Sequence, residues 1–513
     1  MSTAPSAPML RTKIEGHRLS TDQRVDAAIF VVEQSHVEYV ISSSYEGATV
    51  RVQRRFSEFE QLHQGLAHTW CDTSGVPILP EVFPVSKLLF HTAYELDERM
   101  KLLNIYMRGL VGSIESTPPT DLLLERYFGV HEFTAKVLLS SSDVEALSVR
   151  ELLLIAREAG DTHSLALWEG LHLGYTESQG HPELLKEIAA TYSAAVTHDH
   201  LLEVVPEEGI FIAMSCLLAP ADEVIVTWPA YQSLYEVARA RGANVRRWEA
   251  SGSVYDRQTF DVGALEALIT EAGGRVKLIV VNFPHNPTGA SLSPDELTRL
   301  IGLARHAGAW LFSDEMYRGL ELGALPPLPS VCELYEKGVA LSGMSKVYAL
   351  PGLRIGWLAC RESHFIKQAR TYKDYTTICG SAPSQVLALI GMRHRVSLVA
   401  RSKAIAAEGL AATVAFCEKH SDKFVFHPPD AGPVAYLAIK QGARGEALTA
   451  ADAQAYSERL VRQTGVMLIS GAMFEAEEPF LRLGFAKAGY AARLASWEAT
   501  FETVVLPGRE ATA

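Results

Sequence analysis

From about residue 140 onward, short apolar runs alternate with stretches of helical periodicity, and no other feature constrains the fold as tightly. Glu223–Thr227, Val276–Phe283 and Ala309–Ser313 are predicted strands, and Pro182–Tyr192, Tyr231–Arg241 and Ser293–Ala307 are predicted helices. Strands that alternate with helices pair in parallel through helical crossovers. An α/β domain with a mainly parallel sheet and helices on both faces is therefore expected. Such sheets receive ligands at the carboxyl ends of their strands. Three apolar runs here end in polar residues. Ile279–Phe283 leads into His285-Asn286-Pro287-Thr288-Gly289, and Trp310–Phe312 into Ser313-Asp314-Glu315-Met316-Tyr317. Val339–Leu341 leads into Ser342-Gly343-Met344-Ser345-Lys346. Each motif alone has a plain structural reading: an Asp at a strand end commonly caps a turn, and Asn-Pro-Thr-Gly has the composition of one.

The first 130 residues have another texture. Strand-like runs at Ala27–Val32, Val37–Ser42 and Thr49–Gln53 precede helical spacing at Phe59–Leu66 and Asp97–Leu110. A small α+β module over residues 1–130 is expected, then a larger one over 131–513. The join, with Ser140-Ser141-Ser142, is short. A length of 513 residues fits two to four domains, and 48% hydrophobic with 21% charged residues excludes a disordered or fibrous chain. No uncharged apolar run reaches the roughly 18–20 residues of a membrane span, and no apolar leader follows the amino terminus, so neither is expected. Six scattered cysteines without a CxxC pair point to reduced thiols and a cytoplasmic protein rather than a disulfide or metal framework. A net charge of −13 with no basic domain argues against nucleic acid as a partner.

The order NPTG, DExY, then SGMSK followed by LPGLRIGW, resembles the class I/II aminotransferases, enzymes of fold type I that use pyridoxal 5′-phosphate (PLP). The resemblance covers about residues 140–510. It implies a large PLP-binding domain at about 175–394 and a smaller α+β domain from about 131–174 and 395–513. It implies that Lys346 holds the cofactor as a Schiff base and, once displaced, carries the proton of the substrate Cα. By position Asp314 pairs with the pyridine nitrogen, and Asn286 and Tyr317 bond the phenolic oxygen. Tyr231 stacks on the ring, while Arg354, eight residues after Lys346, grips the phosphate together with the hydroxyls of Ser345 and Ser342. Arg482, in Phe480-Leu481-Arg482-Leu483-Gly484-Phe485, matches the arginine that receives the substrate α-carboxylate, a pairing suited to a planar guanidinium. Asn286 shares that substrate-binding role. Tyr175, in YTESQGHPELL, matches a tyrosine that crosses a dimer interface to the partner's phosphate, so a homodimer with composite sites is implied.

Two places depart from the family pattern. Val204-Val205-Pro206-Glu207-Glu208-Gly209-Ile210 stands where relatives carry a glycine-containing turn before the phosphate-receiving helix. The backbone N–H groups of Glu207 and Glu208 suit an anion, and their acidic side chains are expected to point away. Gly343 replaces a common serine. The reading is a transaminase moving an amino group between an α-amino acid and a 2-oxo acid. A PLP lyase or cyclase on the same cage is the alternative within enzymes, and a non-catalytic lipid-targeted adaptor is the alternative outside them.

In the small module, Val52-Gln53-Arg54-Arg55-Phe56-Ser57-Glu58-Phe59 resembles the RR(Y/F)(S/T)(D/E)F signature of phox-homology (PX) domains, with the proline-rich stretch Val76–Pro80 after it. That resemblance implies phosphoinositide binding, usually phosphatidylinositol 3-phosphate, and a peripheral place on endosomal membranes. Arg55 would pair with the 3-phosphate, Phe56 pack on the inositol ring and Arg99 bond ring hydroxyls. The basic residue usual after the proline-rich loop is replaced by Glu81-Val82, leaving Lys87 as its nearby substitute. Residues 1–130 hold 12 basic against 16 acidic side chains, so membrane binding would rest on a specific pocket rather than on net attraction.

Overall fold

The computed structural model describes the backbone of four strands within residues 12–55, and residues 118–507 apart from 254, 324 and 441–446. The chain divides into two compact units, Met1–Pro118 with Ala219–Ala221, and the remainder from Pro119 onward. In the first unit the strands are β1 (Thr12–Ile14), β2 (Ile29–Glu33), β3 (His36–Tyr45) and β4 (Ala48–Arg55). All are antiparallel, and β3 pairs with each of the other three. The three runs expected to be strands are therefore strands. The expected helices at 59–66 and 97–110 lie outside the described residues.

In the second unit, β5 (Val137–Leu138) precedes a seven-stranded sheet. That sheet holds β6 (Leu201–Val204), β7 (Glu223–Trp228), β8 (Asn244–Glu249), β9 (Val276–Asn282), β10 (Trp310–Asp314), β11 (Gly338–Gly343) and β12 (Gly356–Ala359). The order is β6-β12-β11-β10-β9-β7-β8. β12 runs antiparallel to both its neighbours, and the other pairs are parallel. Successive side chains on a strand face opposite ways. Ile225, Ile279, Val281 and Leu311 enter one apolar cluster, while Val224, Val226, Leu278, Val280 and Phe312 enter the other. Both faces are covered, which is why these strands read as continuous apolar runs.

The crossovers carry clear stop and start signals. The helix Pro294–Ala307 opens with Ser293 capping Glu296 and Glu296 reaching back to Ser293, has Pro294 in its first turn, and ends on left-handed Gly308. Losing such an N-cap costs about 1 kcal/mol. A second, antiparallel sheet runs β13 (Phe424–Phe426), β14 (Val434–Ile439), β17 (Phe480–Gly484) and β16 (Ile469–Ser470), while β15 (Val466–Met467) pairs with β5. The helix Leu123–His131 belongs to this second unit. Leu123 N–H donates to Gln232 and the Tyr127 hydroxyl to Leu468 O. Among the described residues no helix is long and apolar enough to cross a membrane, and no group of three or more His, Cys, Asp or Glu is placed to hold a metal.

Candidate active site

Three neighbouring strands deliver the polar motifs to one place. β9 ends at Asn282, β10 ends at Asp314, and the turn after β11 carries Ser345 and Lys346. The Asn282 side chain links the first two ends: its Nδ2 donates to Asp314 O at 2.8 Å, and its Oδ1 accepts from Asn286 N at 2.7 Å. The turn that follows depends on Gly289, which has φ 73°. A Cβ there would lie 2.3 Å from Pro429 Cβ and 2.8 Å from Val434 O, so only glycine fits. From the second sheet β17 adds Arg482, which is fully buried.

These residues line one cavity of about 730 Å³, with Asp314, Tyr317, Asn286, Lys346, Ser345, Arg354, Tyr231, Glu207 and Arg482 on its wall. Lys346 Nζ donates to Ser142 Oγ at 2.8 Å. Burial pushes the lysine amine below its ordinary value, opposed by the nearby Asp143 and Asp314 carboxylates. Asp314 is buried, and burial raises its carboxyl to about 7, although Met316 N–H donates to Oδ1 at 3.0 Å and Lys346 lies nearby. Burial likewise holds the Tyr317 hydroxyl above the ordinary tyrosine range. Arg482 Nη1 donates to Asn286 Oδ1 at 3.2 Å and Nη2 to Ser140 O at 2.6 Å, while its buried Nε has no partner. Arg354 takes φ 55° and donates to Pro351 O at 3.0 Å. A left-handed non-glycine residue costs about 1–2 kcal/mol, so its surroundings must hold it.

The first turn of the helix Pro206–Leu217 follows directly on β6. Glu208 behaves as expected: its carboxylate turns back to Val205 N–H at 3.0 Å and accepts from Thr377 Oγ1 at 2.9 Å and from Thr376 Oγ1, and it does not line the cavity. Glu207 departs from the expectation that both acids point away. Its side chain lines the cavity, because two hydroxyls there capture it: Tyr231 OH donates to Oε2 at 3.3 Å and Ser233 Oγ to Oε1. Tyr175 stands 94% exposed, away from its own chain's cavity. Arg55 closes β4. Its side chain, with Phe56, Lys87 and Arg99, lies outside the described residues.

Sequence reasoning missed several wall residues. Ser142 read only as part of a short join and Asp143 was not singled out, and Glu125, Phe128 and Glu132 sit on or beside a helix that the motifs do not touch. The only signal was the serine run itself. The donor set fits pyridoxal phosphate. A lysine amine, a buried carboxylate at a strand end and an Asn–Tyr pair share the cavity with Ser345, Arg354 and a helix amino terminus suited to an anion. The unpartnered Arg482 Nε leaves a buried donor free for a further ligand.

Comparison with known proteins agrees with this construction. Residues 134–493 match the family described as aminotransferase class I and II, and residues 43–123 match the PX domain. The chain belongs to the aminotransferase class I and II family. It is a PLP-dependent aminotransferase of fold type I with an N-terminal PX domain. Capreomycidine synthase of Streptomyces vinaceus is 28% identical over 383 residues, covering 74% of this chain and 92% of that protein. Aspartate aminotransferase of Musicola paradisiaca (strain Ech703) is 25% identical over 329 residues, covering 61% and 78%. Among solved structures, a PLP-dependent aminotransferase from Streptococcus suis 89-1591 superposes with TM-score 0.67 at 26% identity, covering 76% of this chain and 99% of that one. The PLP-dependent cyclase OrfR has the same score and identity, with 75% and 97% covered.

Proposed function

We propose that the enzyme transfers the amino group of an α-amino acid to a 2-oxo acid, at the cavity that holds Lys346, Asp314 and Arg482. The observation that carries this reading is the shared wall: a lysine amine held below its ordinary value and a fully buried guanidinium with a free Nε face one space. When bound, pyridoxal phosphate supplies the electron sink that makes a proton at the substrate Cα removable. Arg482 binds the α-carboxylate, with Asn286 fixing the guanidinium through Nη1. Lys346 Nζ moves the Cα proton, and burial lowers its proton affinity, which favours the neutral amine needed to accept one. Asp314 holds the pyridine nitrogen and Tyr317 with Asn286 the phenolic oxygen. Tyr231 covers the ring, while Ser345, Arg354 and the Glu207 and Glu208 N–H groups receive the phosphate. Lys346, Asp314 and Tyr317 are the catalytic set. Residues 131–174 and 395–513 form the small domain around a large domain at 175–394.

A second reading is supported by one observation. Capreomycidine synthase is matched over 92% of its length, against 78% for the aspartate aminotransferase, so ring closure of an amino acid on the same residues is the competing outcome. The visible spectrum of the purified protein with a panel of amino acids separates them. Release of the 2-oxo acid with loss of the cofactor's aldehyde supports transamination; a cyclic amino acid with no oxo acid sinks it. Lys346→Ala is expected to lose both the visible band and turnover.

The PX unit, in this reading, binds a phosphoinositide head group through Arg55, Phe56, Lys87 and Arg99 and places the enzyme on endosomal membranes. Tyr175, exposed on its own chain, meets the phosphate site of a second copy in a homodimer.

A further inference from the structure

We infer that the Glu207 side chain, beyond its backbone N–H, belongs to the cofactor site as a positioning residue. It ties Tyr231 and Ser233 to the first turn of the helix Pro206–Leu217 and takes up a proton when the cofactor's phosphate is received there. The inference rests on reading this cavity as the pyridoxal phosphate site.

Both Glu207 oxygens are engaged from the same short segment, Oε2 by the Tyr231 hydroxyl and Oε1 by the Ser233 hydroxyl. Tyr231 opens the stretch leading into the helix Ser233–Ala240, so one side chain fastens that stretch to the end of β6. Its carboxylate thereby holds the Tyr231 hydroxyl, and with it the ring that is to cover the cofactor. Glu208, one residue on, has no such role, because its carboxylate is spent on Val205, Thr376 and Thr377.

Burial and the surrounding charges set the direction in which the Glu207 carboxyl is shifted. Facing Glu207 are Tyr231 and Ser233 from the segment after β7, Glu125 from the helix Leu123–His131, Asp314 from the end of β10, and Arg354 from the turn after Pro351–Leu353. Burial already raises the Glu207 carboxyl, and Glu125 adds to it. The two hydroxyls and Arg354 pull the other way. A phosphate group brings further negative charge, while Arg354 is the cation that acts on Glu207. Like charges at close range favour the neutral carboxyl. A neutral Glu207 keeps its acceptor oxygen for Ser233 and gains an O–H to donate, whereas an ionised one repels the phosphate.

If the carboxyl binds its proton more tightly in the complex than in the free protein, cofactor binding takes up a proton. Affinity is then full below the free-state value and falls as pH rises toward the bound-state value, by up to about tenfold per pH unit. Lys346, Asp314 and the phosphate itself also titrate, so the comparison must be with a variant that lacks only this carboxyl.

The test is the Kd of pyridoxal phosphate for cofactor-stripped full-length protein, read by tryptophan fluorescence at about pH 6 and about pH 8.5. Wild type is expected to weaken more than Glu207→Gln across that range, by a further factor of about 10. Pyridoxal, which lacks the phosphate, is expected to give the two proteins the same pH dependence. Glu207→Ala, which cannot hold Tyr231, is expected to bind pyridoxal phosphate about tenfold more weakly than Glu207→Gln at both pH values. Coincident profiles for wild type and Glu207→Gln, or equal affinity in Glu207→Ala and Glu207→Gln, would overturn the inference and leave the cavity assignment standing. Failure of wild type to bind pyridoxal phosphate would overturn both.

Discussion

Asp314→Asn separates the demands of function from those of stability. Burial raises the Asp314 carboxyl from its ordinary 3.8 to about 7. A group raised in this way favours the native state fully below its unfolded value, and that contribution is lost as pH rises through about 7. Each tenfold change in proton affinity is about 1.4 kcal/mol, so at pH 8 the ionised carboxylate costs the cofactor-free protein about 4 kcal/mol relative to a side chain that never ionises. Asparagine is such a side chain, and its Oδ1 still accepts from Met316 N–H. Cofactor-stripped Asp314→Asn is therefore expected to melt above wild type at pH 8, by about 5 °C for a unit of this size. Near pH 5 the gap shrinks to about 2 kcal/mol. Added pyridoxal phosphate should reverse the order, because only the carboxylate pairs with a protonated pyridine nitrogen. Scanning calorimetry of stripped and loaded protein at the two pH values reads all of this. A stripped variant that melts below wild type at pH 8, or a gap indifferent to pH, would refute the claim that burial has raised this carboxyl.

Three further outcomes are expected. Arg482→Lys keeps a cation but loses the fork that reaches both Asn286 and Ser140; steady-state kinetics should show KM for the amino acid rising about 30–100-fold, the loss of roughly 2–3 kcal/mol of charged hydrogen bonding, with a smaller change in kcat. Gly484→Ala places a Cβ 1.9 Å from Ser141 O, a main-chain clash that side-chain motion cannot relieve; the protein should lose about 3 kcal/mol in denaturant unfolding and, through displaced Ser142, part of its turnover. Arg55→Ala should abolish sedimentation with phosphatidylinositol 3-phosphate vesicles while leaving amino-acid turnover unchanged, and vesicle binding that survives the change would refute the head-group assignment.

The cavity was legible in sequence wherever a short motif sits at the end of a strand. Asn286, Asp314 and Lys346 follow three strands that are neighbours in the sheet, β9, β10 and β11, so apolar run plus polar tail was enough to bring them together. Arg482 needed the family resemblance, since nothing in an apolar strand says that its one arginine is buried. What stayed hidden depends on side chains distant in sequence. Glu207 turns inward because of hydroxyls 24 and 26 residues away. Lys373 lies in a polar-looking helix, Ser363–Asp374, yet it is fully buried, with Nζ donating to Ser178 O at 2.7 Å. It fixes the segment beyond Tyr175 and acts electrostatically on the buried Glu203, to which Gln385 Nε2 donates. Periodicity assigns such a lysine to solvent, and only the tertiary packing says otherwise.

The same groups that make the cavity chemically useful make it costly to leave without a ligand. Asp314 and Glu207 are raised by burial, Lys346 is lowered by it, and Arg482 carries a buried nitrogen with no acceptor. Each is a polar or charged group removed from water without full compensation from its neighbours. A ligand that offers a cationic ring nitrogen to Asp314, an aldehyde to Lys346 and a carboxylate to Arg482 meets three of these deficits at once. Stabilisation by ligand then grows with the logarithm of concentration over Kd, about 2.7 kcal/mol at a hundredfold excess over Kd. It should exceed that of the phosphate group alone, because inorganic phosphate reaches only the Arg354 end. Cofactor and a carboxylate substrate analogue should therefore each stabilise the protein, the loaded enzyme gaining further from the analogue, because the one meets Asp314 and Lys346 and the other the buried Arg482 donor.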